Sequence, residues 1–378
     1  MVACDAVEAV RVDSWTQACD PGLLSCVDAV VVCVSAEAGR SQALRHEMGL
    51  LADALASHRL SGVVLSSGIS GVVPGEDNPF ITISPNVSSD ELWGRVATIR
   101  QYQPLLRRME DQVAVMQRLG KKLNEHFVEV DQELRLASRL QRDFLPKRLP
   151  EVGDIRFATL YRPAAWVSGD VYDVRRLDEK SISIYLADAV GHGVAAGLLT
   201  MFIKQAIAGK HIGNDGYRIV PPAEVLEGLN SELAGQQLPN CQFVTACYAT
   251  IDAVTHELTF SRAGHPHPIH VGVDGTCCEV RTVGGLLGVF PGESFPSVDL
   301  VLQPGERLIL YSDGLEEVII THRQRSDGQV RFSEPFLAAA RQPAGEFIDA
   351  LTAHLDRAEG SLSPGDDMTV VAVERLKR

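Results

Sequence analysis

Four short stretches place carboxylates where a folded chain has reason to avoid them. Asp170 stands in VSGDVYDV, Asp188 in IYLADAVGHG, Asp313 in LILYSDGLEE, and Asp366 with Asp367 in SPGDDMTVVAV. Each lies at the edge of an apolar run and within three residues of a glycine, where the chain can turn sharply. An unpaired carboxylate entering a core is costly, and several converging ones raise each other's pKa. A bound divalent cation resolves both problems. Oxygen-only ligation suits a hard ion, Mg2+ or Mn2+, because no Cys or His stands at ligand spacing around these aspartates. Asp-Gly after a strand is also an ordinary turn signal, but turns are served equally well by Asn or Gly. Four acidic strand ends in one region point beyond punctuation.

The elements that must hold these residues can be read from periodicity. After Pro150 the sequence predicts strands over 182–186, 243–251, 258–261, 298–302, 307–311 and 368–373, with helices over 194–208 and 223–234. Many strands grouped around a few helices indicate an α+β domain. Upstream, Leu106, Met109, Val113, Met116, Gly120, Leu123, Phe127, Val130, Leu134, Ala137, Gln141 and Phe144 alternate by three and four. That is the repeat of a coiled coil, weakened by Gly120 and Gln141 in the seam, and it predicts a two-stranded dimer. Pro104 is expected to start or kink this helix, and Pro146 and Pro150 to end it.

The first hundred residues alternate strand and helix: a β-branched run at 28–35, a helical face of Leu44, Met48, Leu51 and Leu55, a strand at 62–65 and another at 79–84. This suggests a small α/β domain of flavodoxin-like layout, loosely similar to a bacterial response-regulator receiver but with Ser66 and Ser67 near the expected phosphoacceptor. Three regions result: an α/β regulatory domain over 1–100, a coiled-coil linker over 101–146 and a catalytic domain over 147–378.

Composition narrows the function classes. The chain is 45% hydrophobic and 22% charged, with a formal charge of -14, which offers no basic field for a phosphate backbone and argues against nucleic acid. The opening MVACDAVEAVRVD has neither a basic nor an apolar signal region, and the early apolar run 29–34 is far short of the ~20 residues that cross a bilayer. Eight cysteines without CxxC pairs fit small buried hydrophobes in a reducing, cytoplasmic compartment rather than a zinc site.

From about Ser138 to Lys377 the sequence resembles the SpoIIE/RsbU-like branch of the metal-dependent protein phosphatase 2C family. The motifs that carry the resemblance are LQRDFLPKRLP, SGDVYDV, LADAVGHGVAAGLLT, QFVTACYATID, SRAGHPHPIHV, GGLLGVF, LILYSDGLEEV and GDDMTVVAV, in the family's order and spacing. It departs at Ser168, where a glycine is common, and at Ala189-Val190, where valine and serine are common; no carboxylate is lost. The resemblance implies a sandwich of two antiparallel sheets flanked by helices, with two divalent ions, Mn2+ or Mg2+, between the sheets. It implies that Asp188 bridges both ions with the Ala189 carbonyl at the second. Asp170 would complete one site, and Asp313 and Asp366 the other. Asp367, counted with the metal set, and Asp173 would hold waters around them.

The expected activity is that of a regulatory serine/threonine phosphatase in which water attacks phosphorus directly, without a phosphoenzyme. The resemblance implies a phosphorylated anti-sigma-factor antagonist as substrate. A non-catalytic phosphoprotein-binding scaffold and a hydrolase of small phosphoesters are the alternatives. His192 and His265 invite a triad reading, but Gly-His-Gly is better placed as the bend that opens the following helix, and His265 in AGHPHP suits a structural role. Arg162 in YRPA could donate to a substrate phosphate or be an ordinary surface arginine.

Overall fold

Alternating β-branched and helix-forming stretches fold the first unit around a small parallel sheet. A computed structural model describes residues 9–34, 41–66, 78–191, 193–213, 216–236, 243–323, 330–357 and 364–377. It comprises two units, Met1–Phe127 and Val128–Arg378. In the first, two short helices, α1 (Trp15–Ala18) and α2 (Pro21–Leu24), precede β1 (Val30–Val34), α3 (Gln42–Ser57), β2 (Gly62–Ser66) and β3 (Phe80–Ile83). Met48, Leu51, Ala52 and Leu55 form the buried face of α3, spaced as one helical stripe should be, and cluster with Leu24, Val64 and Phe80. The strands run parallel in the order β1-β2-β3. A flavodoxin-like sheet reverses its order at the first strand; the three described strands show no such reversal. Ser66 is buried at the end of β2, and Ser67 lies outside the described residues.

One helix, α4, runs from Ser89 to Phe144 across the division between the units. It begins well before Pro104, which sits inside it and so does not start the helix. The start is set upstream: the Ser88 hydroxyl accepts from the Glu91 N–H at 3.2 Å, and Asp90 and Glu91 occupy the first turn. Beside the proline, Gln103 and Arg107 both donate to the carbonyl of Arg59, a residue held at φ 53°. Along the middle of α4, Leu106, Met109, Val113, Met116, Leu123, Phe127 and Val130 are all exposed.

The second unit is a β-sandwich. Its strands are β4 (Ile155–Arg162), β5 (Asp170–Arg176), β6 (Ser181–Ala189), β7 (Lys210–Gly213), β8 (Gly216–Ile219), β9 (Val244–Asp252), β10 (Glu257–Ala263), β11 (Ile269–Val271), β12 (Cys277–Glu279), β13 (Val298–Val301), β14 (Arg307–Tyr311), β15 (Ile320–Arg323), β16 (Val330–Phe332) and β17 (Met368–Arg375). One sheet has the order β13-β10-β9-β6-β5, the other β12-β11-β14-β17-β4, and both are antiparallel throughout. The pairs β7-β8 and β15-β16 form two hairpin-like ribbons.

Period-two alternation decides what faces the interior. Leu308, Leu310, Val371 and Val373 join the core shared with the first sheet, while Ile309, Tyr311, Val370 and Ala372 turn to the opposite face. Helices α8 (Glu334–Ala340) and α9 (Ala344–Arg357) cover that face through Phe336, Phe347, Leu351 and Leu355. The first sheet is covered by α5 (Val194–Ala206) and α6 (Pro222–Gly235), with Leu199, Ile203, Leu226 and Leu229 in its core. A four-residue helix, α7 (Glu316–Ile319), follows β14. Among the described residues, no helix is long and apolar enough to cross a membrane.

Candidate metal centre

The carboxylates gather at one end of the sandwich, where strand alternation turns Asp170 and Asp188 inward and leaves Asp313 and Asp366 at the rim. Asp170 and Asp188 are directly opposite each other in the β5-β6 ladder, and Asp188 is opposite Thr245 on β9. Their face of the sheet is the inner one: Tyr172, two residues along, reaches Thr159 on the other sheet at 3.3 Å. From the second sheet, Ser312, Asp367 and Thr369 share the inward parity of Leu310 and Val371. Asp313 and Asp366 lie one residue away in each case, at the exposed rim.

The tight packing of these segments is visible at two glycines. A Cβ on Gly169 would come within 2.8 Å of the Ala189 and Gly191 carbonyl oxygens. A Cβ on Gly314 would stand 2.2 Å from the Asp367 carbonyl oxygen. Side chains there would push apart the backbone segments that deliver Asp170, Asp188, Asp313 and Asp366.

The carboxylates at this end repel one another. Asp188 is pushed up to about 7 by burial and by Asp313, Asp366 and Asp367. Asp170, 1% exposed, is raised well above the usual carboxylate range by burial and by Asp188, against the hydrogen bond from Thr369. Asp313 is raised by burial and Asp366. Like charges paired directly across strands destabilise a sheet, so the fold maintains this arrangement at a cost that a divalent cation would remove. The donors are carboxylates and a backbone carbonyl, the set preferred by Mg2+ or Mn2+. Asp170, Asp188, Asp313, Asp366 and the Ala189 carbonyl would hold the ions. Among the described residues, no three His, Cys, Asp or Glu side chains are already drawn together at ligating distance.

Two aspartates have other duties. Both oxygens of Asp367 are occupied: Oδ1 accepts from the Ala164 N–H at 2.7 Å and Oδ2 from the Gly169 N–H at 2.6 Å. Asp367 therefore anchors the loop leading into β5. Asp173, three residues from Asp170 and so on the opposite face of β5, pairs with Lys204 at 2.9 Å and Arg175 at 3.1 Å. It tethers α5 and points away from the proposed waters.

Gln141 is the residue the sequence reading placed wrongly. It is buried, not exposed in a coiled-coil seam: Nε2 donates to the Ser168 carbonyl at 2.7 Å and to Thr200 Oγ1 at 3.0 Å, and Oε1 accepts from the Ser168 N–H at 2.9 Å. Six residues earlier on α4, Arg135 lies over the Trp166 ring, 4.6 Å from its centroid. The last turns of α4 thus grip the same 163–169 loop that Asp367 anchors from below. The signal was a lone amide in an apolar stripe, which reads equally as a flaw and as a clamp.

His265 is buried, with Nδ1 2.9 Å from Thr245 Oγ1. Burial, reinforced by Arg262, depresses it to about 3, so it is neutral and structural at ordinary pH. His192 lies outside the described residues. Gly193, at φ 85°, is the N-cap of α5, consistent with the expected bend. Arg162, at the end of β4, is ion-paired with Asp356 of α9 at 2.8 Å.

Known proteins resemble this chain over much of its length. The pattern of the family described as Stage II sporulation protein E (SpoIIE) matches residues 178–376, more than half of the chain. The chain is similar to phosphoserine phosphatase RsbU of Bacillus subtilis, 27% identical over 250 residues, 65% of this chain and 71% of that protein. It is also similar to phosphoserine phosphatase RsbP of the same organism, 28% identical over 192 residues, 48% of this chain and 45% of that protein. Among solved structures, the SiaA-PP2C domain of Pseudomonas aeruginosa shares the fold, with a TM-score of 0.52 and 24% identity over 65% of this chain and 96% of that domain.

Proposed function

The chain belongs to the SpoIIE family, and from that premise we propose that it is a metal-dependent protein phosphatase that hydrolyses phosphoserine or phosphothreonine on a partner protein. The observation that carries this reading is the convergence of Asp170, Asp188, Asp313 and Asp366 from two sheets. Two Mg2+ or Mn2+ ions, when bound, would acidify a water and offset the charge on the phosphoryl oxygens. In this reading Asp170, Asp188, Asp313, Asp366 and the Ala189 carbonyl would hold the ions.

The chain's own hydroxyls support transfer directly to water. Ser312 Oγ donates to the Asp367 carbonyl and accepts from the Thr369 N–H, and Ser168 Oγ accepts from the Asp170 N–H. These nearby serines are engaged in holding the backbone and are not presented as nucleophiles.

The partner is proposed from the resemblance to be a phosphorylated anti-sigma-factor antagonist in the cytoplasm, in keeping with the similarity to RsbU and RsbP. The exposed apolar stripe of α4 supports a homodimer paired through that helix. Because the end of α4 grips the loop before Asp170, a change in pairing would be felt at the carboxylates. The test compares rates on a phosphoserine protein and on p-nitrophenyl phosphate, with Mn2+ or with EDTA. Activity on the phosphoprotein should require the metal and fall more than about 100-fold in Asp188→Asn. Turnover in EDTA, or an active Asp188→Asn enzyme, would overturn the proposal.

A further inference from the structure

Thr369 occupies an unusual place in the site. It is fully buried on β17, two residues beyond Asp367, and its Oγ1 donates to Asp170 Oδ2 at 2.6 Å. That bond crosses from one sheet to the other, since Asp170 belongs to β5. Thr369 is itself fixed from behind. Its N–H donates to Ser312 Oγ at 2.9 Å, its carbonyl accepts from the Ser312 N–H at 3.0 Å, and Ser312 Oγ donates to the Asp367 carbonyl at 3.2 Å.

We propose that Thr369 is the positioning residue for Asp170, and that Ser312 sets the orientation of Thr369. The proposal rests on the metal-dependent reading of the site. Asp170 has two oxygens and faces Asp188 directly across the ladder. Left alone, a short carboxylate beside another would rotate away from it. The threonine hydroxyl holds Oδ2 and leaves Oδ1 as the oxygen for an ion. The β-branched side chain adds stiffness, because Thr has fewer χ1 choices than Ser. Neither Thr369 nor Ser312 would touch the metal or the substrate; both act through Asp170.

The test uses the full chain stripped of metal and titrated with Mn2+ by calorimetry, alongside thermal unfolding of the metal-free protein. Thr369→Val keeps the shape and removes the hydroxyl, and Thr369→Ser restores it. Thr369→Val should weaken Mn2+ binding about 10- to 100-fold, as loss of a partner to a metal-ligating side chain does, with Thr369→Ser returning to within about threefold of the parent. Ser312→Ala should give an intermediate loss. If Thr369→Val binds Mn2+ as the parent does, the assignment is wrong, even where its unfolding temperature drops, because the hydroxyl would then serve only to join the sheets. A Thr369→Ser protein as weak as Thr369→Val would also overturn it. If the parent chain takes up no Mn2+ at all, the metal reading fails and this one with it.

Discussion

Replacing Asp367 by asparagine separates an anchor from a ligand. The carboxylate accepts two short backbone bonds, 2.7 Å from Ala164 and 2.6 Å from Gly169, and is 4% exposed. Bonds to a charged acceptor contribute about 1.5–3 kcal/mol each, and a buried donor left without a partner costs about 1–3 kcal/mol. Asparagine keeps one acceptor oxygen and turns an amino group toward the other N–H, so one bond is lost and two donors face each other. The expected destabilisation is about 2–4 kcal/mol. At about 2–4 °C per kcal/mol for a domain of this size, the melting temperature should drop by roughly 4–16 °C. The measurement is thermal unfolding in EDTA, repeated with saturating Mn2+. Asp367→Asn should melt early in EDTA yet still gain stability from Mn2+, because its oxygens are committed to the loop. Asp366→Asn, at the exposed rim, should behave oppositely: little change in EDTA, within about 1 kcal/mol, and a lost gain from Mn2+. If Asp367→Asn melts like the parent in EDTA and loses the Mn2+ gain, the carboxylate is a ligand and the anchoring argument is wrong.

Two further outcomes follow from the same geometry. Gln141→Leu fills the same space but strands the buried N–H and carbonyl of Ser168, so urea unfolding should show a loss of about 2–4 kcal/mol, with phosphatase activity falling alongside; an unchanged midpoint would remove the clamp. His265 has a folded pKa depressed to about 3 from 6.5. Its contribution to stability is therefore complete above pH 6.5 and declines as pH falls toward 3, where the unfolded chain takes a proton that the folded chain refuses. The difference in unfolding free energy between the parent and His265→Gln should shrink across that window by about 1.4 kcal/mol per pH unit, and a pH-independent difference would count against the buried neutral imidazole.

The sequence was most informative where a residue's type alone constrains its surroundings. Asp170, Asp188, Asp313 and Asp366 could be singled out because a carboxylate at the end of an apolar strand needs an explanation, and the structure brings all four to one end of the sandwich. The strands at 182–186, 307–311 and 368–373 were legible because both their faces are buried. Direction was not legible. Asp366 and Asp367 are adjacent and chemically identical, and only the parity of β17 turns one to the rim and the other to the loop. Asp173 was misread for the same reason, since its distance of three from Asp170 puts it on the other face. Strand β5 itself, DVYDVRR, escaped notice because charge interrupts its apolar pattern, and α9 did so although Phe347, Leu351 and Leu355 recur every four residues. Pro104 was given too much weight, because an N-cap upstream and the ties from Gln103 and Arg107 carry α4 past it.

The order of the second sheet has a consequence for how the protein is made. β17 is the final strand of the described chain, yet it lies between β14 and β4. β4 emerges about two hundred residues earlier and, among the described residues, pairs with no other strand. During synthesis it must therefore wait, edges open, until residues 368–375 leave the ribosome, and Asp366 arrives only just ahead of them. Loss of residues 364–377 would unpair β4, split the sheet and remove Asp366 together. The second sheet closes only once β17 is in place.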